Sequence, residues 1–281
     1  MSELTIAVAA APFGREMERC FATIEAIAEQ ARAAGAGLLV LPEAALGGYV
    51  ENLHEDADPP PALAPDGPEL ARLARLAGDD LVICAGFAEA GEGGAVHNVA
   101  ACVCGDGLLG LHRKVHLPLE EGRLTTPGDS LEAIDTPVGR IGMLICYDKA
   151  FPEAARTLAL DGAEILVFLS AWPCSVTNRA ERLEDDRQWR LAELWDRSRA
   201  AENQVIVVSA NQTGSFGSLD FLGGARICGT GGDVLAETGS DPGLAVTSID
   251  VAAKVAHARR AMSPIRDLRP DAYRVADPLS A

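Results

Sequence analysis

Three residues with complementary chemistry each follow a short apolar run in this chain: Glu43, Lys114 and Cys146. The runs have the length and composition of buried strands. Because chemistry in open α/β sheets gathers at the strand ends, a carboxylate, an ammonium and a thiol can meet at one edge. There the carboxylate can take the thiol proton, and the sulfur can attack an electrophilic carbon. The ammonium can then stabilise the negative atom that results.

Cys146 has the most informative surroundings. Residues 141–172 read as an apolar run, a polar turn, an Ala/Leu-rich helix and a second apolar run, which is the βαβ pattern of an α/β protein. Pro152 and Glu153 suit the first turn of that helix. The thiol therefore follows a strand and precedes a helix N-terminus. There, backbone N–H groups and Lys114 are expected to favour the thiolate.

Each of the three residues also has an ordinary explanation. A buried cysteine commonly serves as a small apolar core residue. Glu43 could be a turn residue and Lys114 a solvated surface charge, since charged side chains are mostly exposed. Taken one at a time, the residues leave both interpretations open.

Taken together, the segments that carry these residues resemble the signatures of the nitrilase, or carbon–nitrogen hydrolase, superfamily. The segments are Leu-Pro-Glu at 41–43, His-Arg-Lys-Val-His-Leu-Pro at 112–118 and Ile-Cys-Tyr-Asp at 145–148. Their order matches that of the superfamily, as do the spacings of 71 residues from Glu43 to Lys114 and 32 from Lys114 to Cys146. Flanking agreement extends over nearly the whole chain, at Gly48-Tyr49, His97-Asn98, 199–203, 209–211 and 264–273.

The resemblance implies a four-layer αββα sandwich and hydrolysis through a thioester or thioimidate, without a metal or other cofactor. It also implies a second catalytic glutamate, about six residues before a Pro-Gly-Asp sequence. Here Pro-Gly-Asp at 127–129 assigns that role to Glu121. The adjacent Glu120 is the alternative, and a solvated acidic loop is the ordinary explanation.

Within the superfamily, Cys146-Tyr147-Asp148 is most similar to amidases of the ω-amidase type. The expected reaction is therefore cleavage of a small linear carboxamide to a carboxylate and ammonia. An N-carbamoyl-amine hydrolase and a nitrilase are the alternatives of the same superfamily, and a non-catalytic scaffold of the same fold is the alternative from another class. Tyr147, beside the nucleophile, and Trp172, directly after a strand, are the predicted substrate-binding residues.

Composition constrains the remaining expectations. The 281 residues fit a single domain, 1–281, with a C-terminal arm at about 258–281. A net charge of −17 argues against nucleic acid and anionic membranes as partners. No apolar stretch is long enough to span a bilayer.

The seven cysteines lack zinc-ligand spacing, which favours a reduced, cytoplasmic protein without a metal. The resemblance also implies that the protein forms a homodimer or higher homo-oligomer.

Periodicity predicts the elements that must position these residues. Helices are expected at Arg15–Ala34, Glu69–Ala77, Pro152–Leu160 and about 183–202. Strands are expected at 4–9, 37–41, 81–87, 97–103, 107–112, 138–146, 165–169, 204–210 and 244–250. In the last helix, the i, i+3, i+4, i+7 spacing of Leu191, Leu194, Trp195 and Ser198 predicts a core-facing side that contains Trp195.

Overall fold

The computed structural model describes residues 3–53 and 58–273, which form five α-helices and fourteen β-strands. The helices are α1 Met17–Ala33, α2 Pro68–Ala77, α3 Pro152–Leu160, α4 Arg187–Asn203 and α5 Val251–Ala258. The strands are β1 Leu4–Ala11, β2 Leu38–Val40, β3 Ala62–Leu63, β4 Val82–Ala90, β5 Val96–Cys104, β6 Gly107–Arg113, β7 Ile134–Thr136, β8 Gly139–Ile145, β9 Ile165–Ser170, β10 Ile206–Phe216, β11 Leu219–Leu222, β12 Arg226–Cys228, β13 Val234–Glu237 and β14 Gly243–Ile249.

The strands form two facing sheets that are joined at one corner. Hydrogen bonds run in the order β6-β5-β4-β2-β1-β10-β9-β8-β7. Most of β1 pairs with β2 and β14, whereas its last residues, Ala10 and Ala11, pair with β10. Because β4 and β5 contact β9 and β8, the two halves of this path lie face to face.

Alternating side chains on the strands build three apolar layers. On β1, Ile6 and Val8 point into the core between the sheets, whereas Ala7 and Ala9 face α1 and α2. The strands of the second sheet use their other face to pack against α3 and α4. Since period-two alternation buries both faces of each sheet, the layers stack as helices, sheet, sheet and helices. The predicted αββα sandwich is confirmed.

The helix starts follow from local sequence. Pro68 and Pro152 occupy the first turns of α2 and α3, where a missing backbone N–H costs nothing. Asp186 caps α4 by accepting a hydrogen bond from the Gln188 N–H at 2.8 Å, and Asp250 caps α5 in the same way. Because Asp186 is the cap, α4 begins at Arg187, four residues after the predicted start at about 183.

The predicted core face of α4 is only partly correct. Trp195 is partly buried and packs against the core between the sheets, but Leu194 is 57% exposed. The helix instead buries a side that includes several polar residues, namely Trp189, Ala192, Asp196, Arg199, Ala200 and Asn203. Apolar periodicity cannot report such a face, because its charged members are buried in ion pairs and hydrogen bonds rather than in apolar contacts.

The predicted C-terminal arm lies only partly within the described chain. After α5 ends at Ala258, the chain continues through turns to a short 3₁₀ turn at Pro270–Ala272. Residues 274–281 lie outside the described residues. The single-domain organisation and the arm as a unit stay predictions.

Asp196 is the residue of α4 on which the stability of the second sheet depends. Its carboxylate lies 2.7 Å from Lys149 Nζ and 3.1 Å from Arg226 Nη1, and all three side chains are buried. Removing it would leave two buried cations without their shared counter-charge. We expect Asp196→Ala to lower the free energy of unfolding in urea by about 3–5 kcal/mol.

Leu194→Ala on the same helix is the matched control, because its side chain is largely exposed. Its free energy of unfolding should change by no more than about 0.5 kcal/mol. Equal, small effects of both substitutions would contradict a stabilising role for the buried ion pairs.

Candidate active site

Glu43 lies in a turn that follows β2, with its side chain completely buried. Its Oε1 accepts hydrogen bonds from Asn98 Nδ2 at 2.7 Å and Lys114 Nζ at 2.9 Å. Oε2 accepts one from the Ala171 N–H at 2.6 Å. Because Ala171 follows β9 in the second sheet, this carboxylate connects the two sheets where their strand ends meet.

The Glu43 turn requires an unusually close approach of two backbones. A Cβ on Gly86 of β4 would lie 2.3 Å from the backbone nitrogen of Ala44, so only glycine fits there. Ala44 itself has a φ of 54°, a conformation that residues other than glycine rarely adopt. The position of Glu43 is therefore fixed by backbone contacts as well as by its hydrogen bonds.

Lys114 follows β6, and its ammonium connects two glutamates. The distances from Nζ are 2.9 Å to Glu43 Oε1 and 2.7 Å to Glu121 Oε2, and none of the three side chains is accessible to solvent. The Lys114 backbone is held on both sides, because its N–H donates to Asn98 O and its carbonyl accepts from Gly128 N–H. A Cβ on Gly128 would clash with Arg113 O at 2.4 Å.

Glu121 is the second carboxylate of this cluster, as the Pro-Gly-Asp spacing predicted. It belongs to the 3₁₀ turn Leu119–Arg123 and accepts hydrogen bonds from Tyr49 OH at 2.7 Å, Asn98 Nδ2 at 2.8 Å and Lys114 Nζ. The Glu120 side chain is 41% exposed and pairs with Arg123. The structure therefore places Glu121, and not its neighbour, against the lysine.

Cys146 begins the 3₁₀ turn that leads from β8 to α3, and it is buried with a φ of 46°. A left-handed conformation at a residue other than glycine persists only where the surroundings enforce it. Asp148 holds Cys146 in this conformation. Its carboxylate accepts hydrogen bonds from the Ile145 N–H, from His112 Nε2 and from the backbone and ring nitrogens of His116.

Burial would raise the pKa of Asp148, but its hydrogen bonds with the two histidines outweigh that effect and hold the pKa far below its usual range. The carboxylate thus stays ionised inside the protein. His112 and His116 therefore act in this turn as hydrogen-bond partners of Asp148. Within residues 3–53 and 58–273, no group of three or more His, Cys, Asp and Glu side chains could hold a metal ion.

The electrostatics of the cluster correct one expectation from the sequence. Burial raises the pKa of the Cys146 thiol well above its ordinary value, and Glu43 adds to the effect more than Lys114 opposes it. A thiolate would add a negative charge beside two carboxylates that share one ammonium. Burial and Glu43 therefore favour a protonated resting sulfur over the thiolate that the helix N-terminus led us to expect.

Burial by itself shifts the pKa values of the Glu43 carboxyl and the Lys114 ammonium in opposite directions. It raises the pKa of Glu43, despite the nearby Lys114. Burial alone would lower the pKa of Lys114, but Glu121 and Glu43 together raise it well above its ordinary value. These shifts favour a stronger base at Glu43, a charged ammonium at Lys114 and a neutral thiol at Cys146.

Cys146 opens onto a cavity of about 350 Å³. Both predicted substrate-binding residues, Tyr147 and Trp172, line it. The Trp172 indole packs edge-on against Trp195, with ring centroids 5.3 Å apart. Its backbone N–H donates to Asn211 Oδ1, which fixes the chain directly after β9. The cavity is of the size that small ligands occupy in proteins.

Three residues of this arrangement carried no assigned role in the sequence analysis: Tyr49, Asn98 and Asp148. The first two lie in flanking segments that resembled the superfamily, which was the available signal. Asp148 lies in a segment predicted as a polar turn. It is buried because it binds His112 and His116, and the spacing of these histidines does not indicate a partner 32 residues after His116.

Comparison with known proteins identifies the family. The sequence model described as carbon-nitrogen hydrolase matches residues 5–259. This chain belongs to the carbon–nitrogen hydrolase family. A protein named nitrilase from Pyrococcus abyssi is 32% identical over 235 residues, covering 82% of this chain and 84% of the relative. The omega-amidase NIT2 of Homo sapiens is 32% identical over 195 residues, or 66% of each chain.

The fold agrees with solved structures of the same superfamily. A carbon-nitrogen hydrolase from Helicobacter pylori superimposes with a TM-score of 0.82 and 26% identity, and the match covers 97% of both chains. The chain is thus a hydrolase of carbon–nitrogen bonds of the amidase and nitrilase group. Over the part of the chain that the structure describes, no helix is long and apolar enough to cross a membrane.

The protonation state of the Cys146 thiol has a measurable consequence. Because its pKa is raised, the rate of alkylation by iodoacetamide should keep rising above about pH 9 and should not level off near neutrality. Peptide mapping after limited labelling at each pH measures this rate for Cys146. A plateau below about pH 8 would show that the enzyme does hold a resting thiolate.

Proposed function

We propose that this enzyme is a thiol amidohydrolase, which cleaves a small linear carboxamide to a carboxylate and ammonia. One observation carries the proposal: a completely buried lysine bridges two glutamates beside the Cys146 thiol, which lies at a strained strand end. An ion triplet of this kind is costly to bury, and a structural role alone would be served as well by apolar residues. Its chemistry matches acyl transfer to sulfur.

In the first half-reaction, Sγ of Cys146 attacks the carboxamide carbon while its proton passes to Glu43. The raised pKa of Glu43 suits this carboxylate to accept a proton from a neutral thiol. Glu43 then gives the proton to the leaving nitrogen, the C–N bond breaks and ammonia departs. A thioester remains on Cys146.

In the second half-reaction, water attacks the thioester carbon as Glu43 takes one of its protons. The C–S bond breaks, the carboxylic acid leaves and the sulfur regains the proton from Glu43. Lys114 stabilises the negative oxygen in both halves. Its ammonium has three N–H donors, and two of them bind Glu43 and Glu121, which leaves the third for the oxyanion.

Glu121 acts as a positioning residue in this mechanism. It fixes Lys114 Nζ and Asn98 Nδ2 through hydrogen bonds of 2.7 and 2.8 Å, and both groups also bind Glu43. Its carboxylate thereby holds the base and the oxyanion donor in one orientation relative to the thiol. Placement at this accuracy accounts for a large share of enzymatic rate.

We assign substrate contacts to Tyr147 and Trp172, because both line the cavity above Cys146. We further propose a cytoplasmic enzyme that forms a homodimer or higher homo-oligomer. The location is supported by the seven cysteines, none of which forms a disulfide.

Release of ammonia from short amides tests the proposed reaction directly. We expect turnover by the wild type and none by Cys146→Ala, with unchanged circular dichroism. N-carbamoyl amines and nitriles in the same screen test the alternatives. Activity of the alanine variant on any amide would contradict a sulfur nucleophile.

Glu121 and Glu120 form a matched pair for testing the second carboxylate. Glu121→Gln keeps the shape but removes the charge that anchors Lys114, so we expect kcat on the best amide to fall at least ~10²-fold. Glu120→Gln should be nearly silent, because that side chain faces solvent and pairs with Arg123. Steady-state kinetics of both variants give the comparison. Impairment of the Glu120 variant alone would overturn the assignment.

Lys114→Met should also lower kcat at least ~10²-fold, with a smaller effect on KM, because it removes the oxyanion donor. Lys114→Arg should not restore activity. A planar guanidinium is larger than an ammonium, and the site holds both carboxylates within 2.9 Å of Nζ. A fully active arginine variant would show that charge alone, independent of its placement, supports the reaction.

A further inference from the structure

The cavity above Cys146 has mostly apolar walls. Leucines at 53, 119, 191 and 219 line it, together with Trp172 and Trp195. No Asp, Glu, Lys or Arg is present among the lining residues in the described part of the chain. A charge brought into such a cavity loses its hydration and gains no counter-charge.

Two charged residues near this cavity, Asp186 and Arg179, have partners within the protein. Asp186, the cap of α4, accepts hydrogen bonds from the hydroxyl of Ser175 and from the backbone N–H groups of Ser175, Ala180 and Gln188. Arg179 pairs with Asp220. Both the carboxylate and the guanidinium are therefore already paired within the protein.

Two polar groups of the walls are likewise engaged within the protein. Trp172 Nε1 donates to Gln188 Oε1 at 3.1 Å, and Tyr49 OH donates to Glu121. Lys149, which lies behind Trp172 in a separate small cavity, binds Asp196 and Ser209. With its N–H engaged, the Trp172 indole presents apolar atoms to the space where the acyl group must lie.

We infer that the enzyme selects neutral amides with an apolar acyl chain and rejects amides that carry a second charge. This inference rests on the proposed function, and it adds what the acyl group must be. The resemblance to ω-amidases rests on Cys146-Tyr147-Asp148, of which Cys146 and Tyr147 line the cavity, and it does not extend to the leucines and tryptophans of the other walls.

Three amides of matched length test the inference: pentanamide, 4-carbamoylbutanoate and 5-aminopentanamide. They present a neutral, an anionic and a cationic end to the same cavity. From ammonia release we expect kcat/KM for pentanamide to exceed that for either charged amide at least ~10²-fold, because a buried unpaired charge is strongly disfavoured.

The failures of the two proposals are distinguishable. Equal or better turnover of a charged amide overturns the specificity inference and leaves the amidase reaction standing. Absence of ammonia from all three amides, with turnover of an N-carbamoyl amine or a nitrile instead, overturns both.

A single added cation provides a second test. Leu191→Arg places a guanidinium in the cavity wall, so the ratio of kcat/KM for 4-carbamoylbutanoate to that for pentanamide should rise at least ~10-fold. Leu194→Arg is the matched control, because it adds the same charge to the exposed side of α4 and should leave the ratio unchanged. An equal rise in both variants would show that overall charge, and not the wall of the cavity, controls selection. Should Leu191→Arg fail to fold, the three-amide comparison on the wild type decides the inference alone.

Discussion

The interaction on which the site depends is the enclosure of one ammonium between two carboxylates. Lys114 is inaccessible to solvent, and burial alone would favour its neutral form. Glu43 and Glu121 keep it charged, and the lysine in turn makes two buried carboxylates tolerable. Asn98 connects the same two glutamates from another side. No member of this group can be removed without leaving a buried charge or hydrogen-bonding group unpaired.

This arrangement accounts for the unusual backbone around it. Gly86 and Gly128 allow the backbones beside Glu43 and Lys114 to approach more closely than any side chain would permit. The turn at Cys146 has a left-handed residue that Asp148 holds in place from within the protein. Because Glu43 follows a strand of one sheet and Ala171 a strand of the other, their hydrogen bond also holds the two sheet edges together at the site.

Most of the scaffold could be predicted from the sequence, because its signals are local. Alternation and apolar runs located the long strands, and Pro68 and Pro152 marked two helix starts. The predicted catalytic residues each follow a strand, and together with the spacing of the motifs this placed them at one edge of the sheet. Strands of three or four residues, such as β7 and β12, are too short for periodicity to reveal.

The remainder depends on long-range pairing. Asp148 looked like a turn residue because its partners, the histidines at 112 and 116, lie far away in sequence. The buried face of α4 carries ion pairs, which a search for apolar spacing overlooks. Burial and three nearby charges together raise the pKa of the Cys146 thiol, whereas a helix N-terminus considered alone would lower it.

The central claim is that hydrolysis passes through a thioester on Cys146. Pentanamide and methyl pentanoate should then form the same acyl-enzyme, although their leaving groups differ. Partitioning between water and added hydroxylamine tests this most directly, with Cys146→Ala as the blank. At each hydroxylamine concentration, the account predicts one ratio of hydroxamate to pentanoate for both substrates. Different ratios from the amide and the ester would contradict a common covalent intermediate.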